Sequence, residues 1–135
     1  MSAASNYLEN KVLDHVLTAT SYTAPATRYI ALFTNTSGNA ATNLEAGTLT
    51  DEVSGGSYAR QTITFNAASS GSSTSAATVT FPAASANWGT ITHVAVMDAA
   101  TSGNVLFWGA VTTAKTIETA DTFQVSAGNL TITLA

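Results

Sequence analysis

The amino-acid sequence predicts an all-β protein: an antiparallel β-sandwich, jelly-roll-like, with one N-terminal amphipathic helix. Three observations point there. Short runs of strand character recur along the 135 residues, with turn signals between them. Two of these runs, residues 90–98 and 105–111, are joined by a short link ending in Ser102, Gly103 and Asn104, residue types that suit a hairpin turn. Only one stretch, near the N-terminus, carries apolar residues at helical spacing. About seven to eight strands follow from this pattern, and strand order stays open. The chain is expected to form one domain over residues 1–135, long enough to bury a core without staples.

The two central runs set the strongest constraint. Ile91, Ala95 and Met97 alternate with Val94 and Val96 in the first, and Val105, Phe107 and Val111 alternate with Leu106, Trp108 and Ala110 in the second. Successive side chains of a strand point to opposite faces, so both strands are apolar on both faces. They need cover on both sides, from a second layer of this chain or from a neighbouring subunit.

The helix is expected over residues 6–18. Asn6 is a candidate N-cap with Glu9 as its capping-box partner, and Leu8, Val12, Leu13, Val16 and Leu17 form one stripe. That stripe either packs on the chain's own sheet or docks as an arm on a partner subunit. Residues 21–27 connect, with Pro25 ending any helix. Residues 28–35 form a strand with Tyr29, Ala31 and Phe33 on one face and Ile30 and Leu32 on the other.

Residues 36–56 are long, polar and rich in small residues, and contain Glu45, Asp51 and Glu52. Such a segment reads as a surface arm, or as a loop ordered by a neighbour, with its carboxylates solvated. Residues 58–66 form a half-buried strand, with Tyr58, Arg60, Thr62 and Thr64 outward and Ala59, Ile63 and Phe65 inward. Residues 67–75 read as a flexible tip and 76–82 as a return strand. Residues 115–118 and 121–126 read as short strands around a turn. Residues 129–134 alternate Leu130, Ile132 and Leu134 with Thr131 and Thr133, as a half-exposed strand closing the sheet.

Composition narrows the functional classes. Charged residues make up 9% of the chain, against about a quarter in average domains. Either the surface is rich in hydroxyls, or other protein copies cover much of it, as charge is depleted at interface cores. A net charge of −4 with four Lys and Arg argues against nucleic-acid binding. The chain has no cysteine, so neither disulfides nor thiolate metal sites are available. No apolar run has transmembrane length, and the N-terminus lacks the basic and apolar regions of a secretory signal. A soluble protein without membrane partners is expected.

No constellation for chemistry stands out. His15 reads as a surface residue and His93 as a partly buried structural one, with no ligands converging on either to hold a metal. Neither a GxSxG elbow, a P-loop nor an HExxH motif is present. An enzyme is not expected, and no cofactor is implied. Trp88 and Trp108 flank the central hairpin. Both suit core packing, but aromatics also anchor interfaces. Trp88, beside Gly89 in a loop, is the better candidate for an exposed anchor, and with Tyr58 it forms a weak candidate platform for a sugar.

Several segments match in order from end to end: NYLENKVLDHVL, YIALFT, EVSGGSYARQTITF, FPAASANWGTITHVAVMDAATSGNVLFWGAV and TFQVSAGNLTITL. In these the chain resembles short virion proteins of tailed bacteriophages, a group of head-decoration and tail-fibre-like components. The resemblance implies a small β-rich structural protein of the particle. Its first expectation is a cement protein on the capsid surface, a homo-oligomer (a trimer) bound to the major capsid protein. The alternative is a tail fibre or tail-tip subunit that partners tail proteins and helps host-surface attachment. Candidate oligomer-interface residues are Val94, Val96, Trp108 and Trp88. Candidate partner contacts are Leu8 and Val12 on the helix and Leu44 and Leu49 in the long arm.

Overall fold

Apolar residues on both faces of the central strands decide the architecture, because a sheet of that kind must be covered twice. A computed structural model describes residues 2–134. Along the chain run β1 (Ala3–Ala4), α1 (Asn6–Leu17), β2 (Arg28–Phe33), α2 (Ala40–Glu45), β3 (Gln61–Ile63), β4 (Ser72–Thr74) and β5 (Val79–Thr80). They are followed by β6 (Gly89–Met97), β7 (Val105–Ile117), β8 (Gln124–Val125) and β9 (Thr131–Thr133). Five strands form an antiparallel sheet in the order β1-β7-β6-β2-β3, while β4 pairs with β9 and β5 with β8 in two separate ladders.

The protein is all-β, antiparallel and sandwich-like, with the expected N-terminal helix. Its second layer is built from the two ladders, where a jelly roll would have a continuous sheet. On one face of the large sheet, Ile30, Leu32, Ile91 and Val94 pack under Val79, Phe81 and Phe123. The Phe81 and Phe123 rings meet edge-on with centroids 5.8 Å apart, an arrangement that aromatic quadrupoles favour. On the opposite face, Ala31, Phe33, Ala95, Met97 and Val105 pack with Leu44 of α2 and the half-buried Leu49. Both layers of cover come from this chain.

Several segments differ from the expectation. Residues 115–117 continue β7 across an irregularity: His93 pairs with Ala110 and Ile91 with Lys115, so Thr92 alone stands opposite residues 111–114. A bulge of this kind lets one long strand read as two in the sequence. The supposed tip supplies β4, and the C-terminal strand pairs with it and not with the main sheet. The helix is capped by Ser5 and not Asn6. The Ser5 hydroxyl accepts from the Leu8 amide at 3.3 Å and donates to the Val105 carbonyl, while its own amide donates to the Leu106 carbonyl at 3.0 Å. One buried serine thus starts the helix and ties it to β7.

Residues 36–56 are not a loose arm. They contain α2, then return along β2, where the Thr34 amide donates to the Asp51 carbonyl at 2.9 Å and the Val53 amide to the Leu32 carbonyl at 3.0 Å. The carboxylates are held rather than solvated. Asp51 is 5% exposed and accepts from the Ser37 amide at 2.9 Å and the Ser37 hydroxyl at 2.6 Å. Glu52 meets Arg60 through two hydrogen bonds of 2.7 Å, from Nε to Oε1 and from Nη2 to Oε2.

Arg60 was expected on an outward face, yet it is 9% exposed. Its remaining Nη1 donates to the carbonyls of Ala99 and Ser102 at 2.7 and 2.8 Å. Those carbonyls belong to the turn between β6 and β7, which Asp98 closes by accepting from the Asn104 amide at 2.7 Å. Gly103, at φ 74°, sits where a Cβ would fall 2.5 Å from that carboxylate, so the turn requires glycine there. Tyr58 completes the cluster, donating to Glu52 at 3.0 Å and accepting from the Leu32 amide at 3.0 Å. Burial pushes its phenol above the ordinary range, so the hydroxyl stays protonated.

Removing the guanidinium strands Glu52 and two turn carbonyls together. Arg60→Met is expected to cost about 3 kcal/mol of stability, the low end for a broken buried pair because Glu52 keeps some solvent. Tyr58→Phe is expected to cost about 1–2 kcal/mol, one hydrogen bond and an unsatisfied amide. Urea unfolding of the two variants against the parent measures both.

Candidate functional site

The chain resolves the candidate residues into two groups, those it covers itself and those it leaves free. Val94 lies in the core under Phe81 and Phe123, and Val96 packs with Ala4, Leu8 and Leu106. Trp88 is 6% exposed. Its ring packs against Tyr58 and Phe81, with centroids 5.6 and 6.4 Å away, and its indole donates to the Gly56 carbonyl at 2.8 Å. Gly56, at φ 59°, makes that approach feasible: a Cβ there would sit 2.9 Å from the indole nitrogen. Val94 and Trp88 are therefore packed into the chain's own core, and Val96, 3% exposed, shows only at the floor of the groove described below. The proposed sugar platform also fails, because Trp88 and Tyr58 are packed into the core together.

Trp108 is half-buried on the α2 face, where its indole donates to Glu45 Oε2 at 2.8 Å. It closes α2 onto β7 and keeps only part of its surface free. Among the partner-contact candidates, Leu44 is 1% exposed beneath α2 and Leu49 packs beside it. These two act inside the chain. The sequence signal misled here because a polar, small-residue segment with two leucines hides a six-residue helix too short to show a periodicity.

The helix α1 gives the opposite result. Leu8 is 6% exposed against Val96 and Leu106. Val12, one turn further on, is half-buried, and Val16, on the same line, is 70% exposed. Leu13 and Leu17 beside it are 54% and 73% exposed. The apolar stripe seats its first turn on the sheet and then runs off the body. Packing on the chain's own sheet holds for the first half of the helix, and the second half leaves its apolar residues exposed.

Beside that seat lies an apolar groove of about 370 Å³. Phe65, Leu106, Phe107, Ile132 and Leu134 line it, and Arg28 is the charged residue on its wall. Leu134 is 56% exposed. A wider cleft of about 500 Å³ runs along the outer edge of β7 toward β8 and β9. No single sequence motif marks either, since their walls come from segments far apart in the chain.

The titratable groups serve the fold. Hydrogen bonds from Ser37, chiefly from its hydroxyl, hold Asp51 below the usual carboxylate range. Burial pushes His93 below the usual imidazole range, partly offset by the charge of Asp51. Its Nδ1 lies 2.8 Å from the Thr92 hydroxyl. His15 is on the surface, accepting from the Tyr22 amide at 3.3 Å. Among the described residues no three of His, Asp and Glu gather as metal ligands.

A family model described as "Podophage GP4 fiber I protein gp80" matches residues 3–133. No curated protein matches the chain.

The lowered His93 sets a pH dependence. The unfolded chain binds the His93 proton more readily than the folded one, so stability falls as pH drops below about 6.5, the unfolded value. Asp51 acts at lower pH: its stabilisation is complete above its unfolded value of about 3.9 and is lost as pH falls through the folded one. The urea midpoint is expected to fall between pH 8 and pH 5, and to fall less in His93→Gln. Unfolding curves for both proteins across that range provide the check.

Proposed function

The chain belongs to the podophage GP4 fiber I protein family, and from that membership we propose that it serves as a fibre subunit of a short-tailed phage particle. The observation that carries this reading is the family match over residues 3–133, nearly the full chain. A structural protein of the virion is the coarser statement, and it stands on the match itself. We favour the fibre over the capsid cement expected first from the sequence, because the family description names a fibre.

The geometry supports a structural role. The polar groups with strong hydrogen bonds, Asp51, Glu52, Tyr58 and Arg60, are engaged within the fold and none is poised in an open cleft. What the surface offers is hydroxyls, little charge and one apolar helix face, which suits repeated contact between protein copies. In this reading the subunit is a homo-oligomer, a trimer by the resemblance above, attached to other tail proteins. Several weak contacts made at once then give firm attachment without any single large interface.

Quantitative mass spectrometry and immunogold labelling of purified particles test the proposal. Gold on fibres, with a copy number far below that of the major capsid protein, is the expected result. Gold over the whole head, at a ratio near that of the capsid protein, would transfer the chain to head decoration. Absence from particles would remove it from the virion.

A further inference from the structure

The exposed half of α1 and the apolar groove beside its seat are complementary. One is convex, with Leu13, Val16 and Leu17 at 54–73% exposure on adjoining positions of two helical turns. The other is concave and lined by Phe65, Leu106, Phe107, Ile132 and Leu134. Apolar surface of this kind on both partners is what drives association in water.

Charge adds a direction. Glu9 is exposed and lies one turn before Leu13, on the same side of the helix. Arg28 stands on the groove wall, with its Nη1 donating to the Pro25 carbonyl at 3.0 Å. The ion pair of Glu52 takes up Arg60, and neither Arg28 nor Glu9 has an ionic partner among the described residues. In a chain with four basic residues, a free arginine on the wall of an apolar groove is a specific feature. The seat of α1 is also continuous with the groove, since Leu8 packs in the same apolar cluster as Leu106, Phe107 and Ile132.

We propose that the outer half of α1 docks into this groove on a second copy of the same chain, with Glu9 of the helix facing Arg28 of the groove. The inference rests on the fibre reading in one respect, that copies of the chain meet in the particle. Helix and groove are different patches, so each copy both gives and receives. Such contacts close into a ring when the rotation allows, and otherwise continue as a filament. Either form suits a fibre built from one subunit.

The test uses the purified full chain, its mass in solution read by light scattering and sedimentation. The parent is expected to be an oligomer. Leu13→Ser with Leu17→Ser is expected to weaken association by about tenfold or more, since two exposed leucines lose their burial. Circular dichroism of that variant should be unchanged, because both side chains are outside the chain's own core. Arg28→Glu alone should weaken association, and Glu9→Arg added to it should restore it. That rescue separates a helix in a groove from helices that merely adhere to one another.

A parent that stays monomeric at high concentration would overturn the inference, as would a serine variant that stays fully oligomeric or a charge exchange without rescue. These outcomes are distinct from failure of the fibre reading. A monomeric chain found on fibres removes the docking and leaves the function, whereas an oligomer absent from particles does the reverse.

Discussion

The guanidinium of Arg60 is the interaction on which the arrangement of the sheet depends. It joins three parts of the chain that are distant in sequence: Glu52, which runs beside β2; its own segment leading into β3; and the turn between β6 and β7 through Ala99 and Ser102. Taking such a charge out of water is costly, and its contacts repay that cost only when the geometry is good and further hydrogen bonds supplement the ion pair. Here four of its hydrogen bonds are made at 2.7–2.8 Å. Glu52 is likewise shared with Tyr58, whose hydroxyl also holds the Leu32 amide. The cluster therefore fixes the register of the return past β2 and the position of the hairpin turn at once.

With those pieces fixed, the sheet closes on itself. One face is covered by the β5–β8 and β4–β9 ladders and the first turn of α1, the other by α2 and the segment after it. A two-sided apolar sheet can be completed by a neighbour, and here the chain supplies both covers. What the fold leaves uncovered is a low-charge surface, the apolar groove beside the helix seat and the far half of α1. An apolar face exposed outside a completed core is the kind of patch that marks an interaction surface.

Much of this was legible in the sequence. The alternation in residues 90–98 and 105–111 located the central hairpin and its need for cover on both faces, because period-two patterning over that length has few other meanings. The helical stripe from Leu8 to Leu17 located α1 within a residue of its observed ends. Less visible were features set by long-range contact. Arg60 alternates with Thr62 and Thr64 as if on an outward face, and only Glu52, eight residues earlier, makes it a buried residue. Ser5 caps the helix because its hydroxyl also meets β7, which no local pattern reports. Trp88 looked exposed because Gly89 follows it, yet Gly56, 32 positions earlier, makes the space for its indole. The resemblance to phage virion proteins was legible as well, but the choice between head and tail was not, since an oligomeric, charge-poor β-protein suits both.

Amide hydrogen exchange tests the central claim most directly: that the core is complete within one chain and contact between subunits falls on α1. The measurement compares the purified chain under dissociating dilution with the same chain in intact particles. The account predicts that β6 and β7 exchange slowly in both, while the last two turns of α1 and the β4–β9 ladder gain protection on assembly. Gains confined to β6 and β7, with α1 unchanged, would contradict it and return the interface to the central hairpin.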